Sequence, residues 1–82
     1  MDRNEIENKI KSIVAAKLNI PLEKITPGAQ LREDLGMDSF AAVEVVFEIE
    51  DGFNITVGQE DVPGIITFSD MVEYVAQRIT VK

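Results

Sequence analysis

The stretch Asp38-Ser39-Phe40-Ala41-Ala42-Val43-Glu44-Val45-Val46-Phe47-Glu48-Ile49-Glu50-Asp51-Gly52 decides how the chain is read. At about 100° per residue, Ala42, Val45, Val46 and Ile49, continued by Phe53, fall on one side of a helix and supply enough apolar surface to meet a core. Phe40, Val43 and Phe47 fall on another side, interleaved with Glu44, Glu48 and Asp51. Gly36 gives a permissive turn, Asp38 an N-cap and Gly52 a stop, so the helix is predicted from Asp38-Ser39 to about Asp51. An apolar strip fringed by carboxylates suits docking, with hydrophobes for binding and charge for steering. The alternative is that Phe40 and Phe47 lie buried under the preceding loop, and for Val43 burial is the expectation.

Upstream, Ile6, Ile10, Ile13, Val14 and Leu18 recur at steps of three and four, predicting an amphipathic helix over about 3–18. Asp2 and Glu5 have capping-box spacing, and Asn19 before Ile20-Pro21 ends the helix. Residues 19–38 hold Pro21, Pro27, Gly28 and Gly36, which break any helical period, yet Leu22, Ile25, Leu31 and Leu35 recur as apolar pegs, so the segment reads as a long ordered loop. Downstream, Gly58, Pro63 and Gly64 leave room for one short helical turn near 60–65, with Phe53, Ile55, Val57 and Val62 packing beneath it. A strand over 53–57 is the competing local reading. Thr67 and Asp70 have capping-box spacing for a last helix through Met71, Val72, Val75 and Ile79. Three longer helices and one short one make a small all-α four-helix bundle in a single domain, residues 1–82, with the long ordered loop between its first and second helices.

Composition narrows the function. The chain of 82 residues has neither cysteine nor histidine, so disulfides, thiolate or imidazole metal sites, a protein-borne thiol nucleophile and the usual general base near neutral pH are absent. No metal site and no independent catalysis are expected. A calcium loop fails on spacing, because no segment alternates acids in the required order before a terminal Glu. The formal net charge is −7, and residues 33–77 carry eleven acids and no base. That surface repels phosphate backbones and anionic lipids, which disfavours nucleic acid and membranes and favours basic protein partners. The bland reading of the acidity is solubility. With no apolar leader behind Met1 to Glu5 and no span of about 20 apolar residues, a cytoplasmic location is the default and a monomer is expected.

Ser39 sits at the first turn of the second helix, where unpaired N–H groups and the macrodipole would stabilise an attached phosphate. A serine there more often serves only as a cap.

Asp34-Leu35-Gly36-Met37-Asp38-Ser39-Phe40 resembles the D-L-G-x-D-S-L signature of acyl carrier proteins. The likeness extends to Ile25-Thr26-Pro27-Gly28-Ala29-Gln30-Leu31, to Val43-Glu44 and Glu50-Asp51 with Phe53, and to Thr67 through Val75 including Tyr74. The resemblance implies a carrier with no reaction of its own, esterified on Ser39 by 4′-phosphopantetheine that a phosphopantetheinyl transferase takes from coenzyme A. The arm brings the thiol that the chain lacks, and acyl groups ride on it as thioesters. By the same likeness Asp38 positions Ser39, and Phe40, Val43, Glu44, Phe47, Glu48, Glu50 and Asp51 form the face that meets basic patches on acyl-transferring and chain-modifying enzymes. A cleft for the acyl chain between the second and third helices would draw on Val46, Phe47, Ile55, Val62, Ile65 and Phe68, each of which could equally be plain core. Phe40 in place of leucine, Ala41 in place of an acid and Glu48 in place of a small residue point to a specialised lipid or synthase pathway rather than the main fatty-acid cycle. A polyketide, D-alanyl or peptidyl carrier, and an unmodified acidic helical interaction module, are the alternatives.

Overall fold

The computed structural model describes residues 2–80, apart from the side chain of Thr80. Three α-helices, α1 (Arg3–Leu18), α2 (Ser39–Phe53) and α3 (Phe68–Thr80), are joined through two 3-10 turns, Leu22–Lys24 and Gln59–Gly64. This is the expected bundle of three longer helices and one short one, with one further turn inside the long loop. The described residues form no strand, so the competing reading of 53–57 is wrong: residues 55–58 are irregular.

Each helix starts where its sequence supplies side-chain acceptors. Asp2 and Glu5 close a reciprocal capping box, Glu5 N–H donating to Asp2 Oδ1 at 2.9 Å and Asp2 N–H to Glu5 Oε1 at 3.1 Å. Asn19 ends α1 in the left-handed conformation at φ 56°. At α3, Asp70 N–H donates to Thr67 Oγ1 at 3.1 Å, while Asp70 Oδ2 accepts from the N–H groups of Thr67 and Ile66 at 3.1 and 3.2 Å. The stop expected at Gly52 is misplaced. α2 runs through Gly52 to Phe53, and Asn54 at φ 56° is the left-handed cap. Tertiary contacts decide this: Lys9 Nζ donates to the Gly52 carbonyl at 2.7 Å and lies 5.0 Å above the Phe53 ring, while Phe53 packs against the core.

The core takes Ile6, Ile10 and Val14 from α1, Val45 and Ile49 from α2, and Phe68, Met71, Val72 and Val75 from α3. Of the four expected pegs Ile25, Leu31 and Leu35 are buried with them, as is Met37, so the loop is an ordered wall of the core, whereas Leu22 is exposed. Main-chain bonds fasten the loop to the start of α3 and the residues just before it: Leu31 N–H to the Ile66 carbonyl at 2.8 Å, Phe68 N–H to the Ala29 carbonyl at 2.9 Å and Ser69 N–H to the Pro27 carbonyl at 2.9 Å. α2 and α3 each pack against α1 rather than extensively against each other. The second 3-10 turn is held to α3 by Tyr74 and Arg78, which bond Asp61 at 2.7 and 3.0 Å.

Two main-chain donors hold the Asp70 carboxyl below its ordinary value of 3.8, the Thr67 N–H contributing most and the Ile66 N–H next. A depressed folded pKa adds stability that is complete above the unfolded pKa and drains as the pH falls through the folded one. Asp70→Asn should therefore flatten the acid limb of stability. Urea midpoints between about pH 5 and pH 2 should fall less steeply in the variant than in the natural chain, and parallel curves would rule this out.

Candidate functional site

The segment leading into α2 shows why each of its residues is of its type. Asp34 Oδ2 accepts the Gln30 N–H at 2.8 Å and closes the turn. Leu35 and Met37 are buried core residues, and the Met37 N–H donates to the Leu31 carbonyl at 2.9 Å. Gly36 between them has φ +76°, where a side chain would be strained. Asp38 is extended and its Oδ1 accepts the Ala41 N–H at 2.8 Å, which makes it the N-cap. Ser39 is then the first helical residue, exposed, with no hydrogen bond to its hydroxyl among the described residues. The cap reading of Ser39 therefore fails: the capping position is taken by its neighbour.

From Ser39, one stripe of α2 (Ser39, Ala42, Val43, Val46, Phe47 and Glu50) lines an open recess of about 460 Å³, closed on its far side by Val57, Gln59 and Val62, with Arg32 at the edge. Behind it lies a more enclosed cavity of about 190 Å³. Its apolar wall is Leu31, Met37, Ala42, Val46, Val62, Pro63, Ile65, Ile66 and Met71, and Gln30, Arg32 and Glu33 lie at its polar side. Ala42, Val46, Val62 and Arg32 border both spaces. Of the expected cleft residues, Val46 and Val62 line both, Phe47 the outer and Ile65 the inner. Phe68 and Ile55 line neither. Phe68 is 1% exposed at the centre of the core and Ile55 packs partly against it. Met37, Met71, Ile66 and Arg32 are wall residues that sequence reasoning missed. Their only signal was apolar or basic character, because chain segments far apart in sequence bring them together.

The outer surface of α2 is apolar where it faces solvent: Phe40 is 75% exposed, Phe47 64% and Val43 51%. The expectation that Val43 is buried is wrong, since the loop packs on the other side of the helix. Nor do Phe40 and Phe47 lie under the loop. Glu44 is half-buried and Asp51 exposed, and Phe47, Glu48, Glu50 and Asp51 surround a shallow depression. Two of the carboxylates also have work inside the fold. Glu50 Oε2 accepts the Val57 N–H at 2.8 Å, and Glu48 pairs with Lys17 of α1 at 3.5 Å. No helix among the described residues is long and apolar enough to cross a membrane.

The phosphopantetheine attachment site family matches residues 8–75. An acyl carrier protein of Saccharopolyspora erythraea is 47% identical over 73 residues, which cover 89% of this chain and 77% of that protein. An acyl carrier protein of Rubrobacter xylanophilus is 39% identical over 80 residues, 98% of this chain and 99% of that one. A third, from Desulforapulum autotrophicum, is 38% identical over 74 residues, 89% of this chain and 96% of its own.

The division of labour at the helix start is measurable as stability. Asp38→Ala should cost about 1 kcal/mol of unfolding free energy, whereas Ser39→Ala should stay within about 0.5 kcal/mol of the natural chain. Urea denaturation of both variants checks it, and equal losses would mean that the two side chains share the cap.

Proposed function

We propose that this chain, which belongs to the acyl carrier protein family, holds acyl groups as thioesters on an arm esterified to Ser39 and offers them to partner enzymes across the exposed face of α2. Members of the family have no catalytic activity of their own, and their prosthetic group is covalently attached 4′-phosphopantetheine. That group supplies the thiol absent from a chain without cysteine. The single observation that carries the assignment of Ser39 is its unspent hydroxyl: Asp38 caps the helix, and the serine stands exposed at the head of the recess. The residues present fit the group. A phosphoester on Ser39 would meet the free N–H groups of the first turn, and a slender arm has an apolar-walled recess beside it.

Asp38 positions Ser39 by fixing the first turn, and Phe40, Val43 and Phe47 give a partner an apolar footing. Glu44 and Asp51 steer basic surfaces toward it, with Glu48 and Glu50 adding charge from their anchored positions. These contacts are individually weak, about 0–1 kcal/mol for each exposed pair, which suits a protein that must release each partner. The inner cavity supports an acyl cleft between α2 and α3. An apolar space of about 150 Å³ holds a six-carbon ring, so about 190 Å³ has room for on the order of six to eight carbons. The exposed Phe40, together with Ala41 and Glu48, supports service to a dedicated lipid or synthase pathway, with the transferase and acyl-handling enzymes as partners, and a single domain acting as a monomer.

Incubation with coenzyme A and a phosphopantetheinyl transferase should add one arm to the natural chain and none to Ser39→Ala, read by intact-protein mass. An unmodified natural chain would instead leave an acidic interaction module. Replacing both Glu44 and Asp51 with Lys should slow loading by about three- to tenfold at low ionic strength while circular dichroism stays unchanged, and the difference should shrink in about 1 M salt. Equal rates at low salt would count against the docking face.

A further inference from the structure

We infer that Arg32 holds the root of the prosthetic arm: its guanidinium pairs with the phosphodiester on Ser39 and turns the arm toward the recess between α2 and the second 3-10 turn. The inference rests on Ser39 being the attachment point. Arg32 borders both the outer recess, which Ser39 also lines, and the inner cavity, and it is the only base among the described residues lining either. A phosphodiester brings one negative charge into a neighbourhood already rich in them, because the next 45 residues after Arg32 contain eleven acids and no base. The helix end supplies only about half an elementary charge in compensation. A guanidinium fork matches the two free oxygens of a phosphodiester, and Arg32 is the cation placed to offer one.

The other cations of the structure are largely committed. Arg3 pairs with Glu73 at 2.7 Å, Lys9 holds the Gly52 carbonyl at 2.7 Å, Lys17 meets Glu48 at 3.5 Å and Arg78 meets Asp61 at 3.0 Å. Arg32 makes no ion pair and no side-chain hydrogen bond among the described residues, although Glu33 and Asp34 follow it directly. Asp34 is turned away to the Gln30 N–H. The backbone beneath Arg32 is fixed, its carbonyl accepting the Gly36 N–H at 3.2 Å and the adjacent Leu31 N–H bonded to Ile66. An uncommitted guanidinium on an anchored stem, beside the recess that starts at the serine, is an arrangement for receiving an anion that arrives after folding.

The test uses the full chain, labelled with ¹⁵N and loaded to completion with coenzyme A bearing a nitroxide on its thiol, the added mass being verified first. Paramagnetic broadening of the Ala42, Val46 and Val62 amide signals then reports how much of the time the arm lies in the recess. At low ionic strength the natural chain should show about two- to fivefold more broadening than Arg32→Gln. The excess should vanish in about 1 M salt, where screening acts within about 3 Å. Lys11→Gln, which removes the same charge from α1, should match the natural chain. Should Arg32→Gln not fold, the natural chain still decides: the Arg32 Nε–H resonance should shift between the unloaded and loaded forms. Equal broadening in the natural chain and Arg32→Gln, an equal loss in Lys11→Gln, or an unmoved Nε–H signal overturns the role of Arg32 while loading of Ser39 stands. Absence of added mass strikes the attachment reading itself and is seen before any spectrum is taken.

Discussion

One hydrogen bond, from the Ala41 N–H to Asp38 Oδ1 at 2.8 Å, sets the terms for the rest of the molecule. It places the helix boundary between Asp38 and Ser39, so the carboxylate is consumed by the backbone and the hydroxyl is not. A boundary one residue later would make the serine the cap, engage its hydroxyl and rotate every α2 side chain by about 100° relative to the loop. The bond in turn depends on the chain arriving extended at Asp38. Leu35 and Met37, buried on either side of the left-handed Gly36, deliver it that way.

Much of this was legible in residue types alone. The capping pairs at Asp2 and Glu5 and at Thr67 and Asp70 act within four residues, so their geometry is local and spacing suffices to read it. The stripe of Ile6, Ile10 and Val14 is a matter of helical angle and is likewise local. The failures share a cause. Gly52 and Asn54 can both accept a left-handed cap, and the choice fell to Lys9, distant in sequence, which bonds the Gly52 carbonyl and covers Phe53. A helical wheel gives the direction of Val43 but not what lies in that direction, and there the chain places solvent. Phe68 and Val62 are both apolar residues downstream of α2. Only the threading of the long loop over the start of α3 puts Phe68 in the core and leaves Val62 at the cavity wall.

The bundle is asymmetric in a way that suits carrying. α1 takes the packing of both other helices, and Ile10 and Val14 are fully buried. The opposite side, between α2 and α3, is built from irregular chain and a 3-10 turn, whose hold on α3 comes largely from the polar cluster of Asp61, Tyr74 and Arg78. Fully buried residues are concentrated on the α1 side, the second 3-10 turn buries none of its own, and it is the turn side that borders the serine.

The three main-chain bonds that fasten residues 27–31 to 66–69 make the approach to Ser39 and the first turn of α3 one stiff piece. A change in side-chain volume on either side of that seam is therefore passed across it rather than absorbed, so the loop before the serine and the start of α3 shift or hold together.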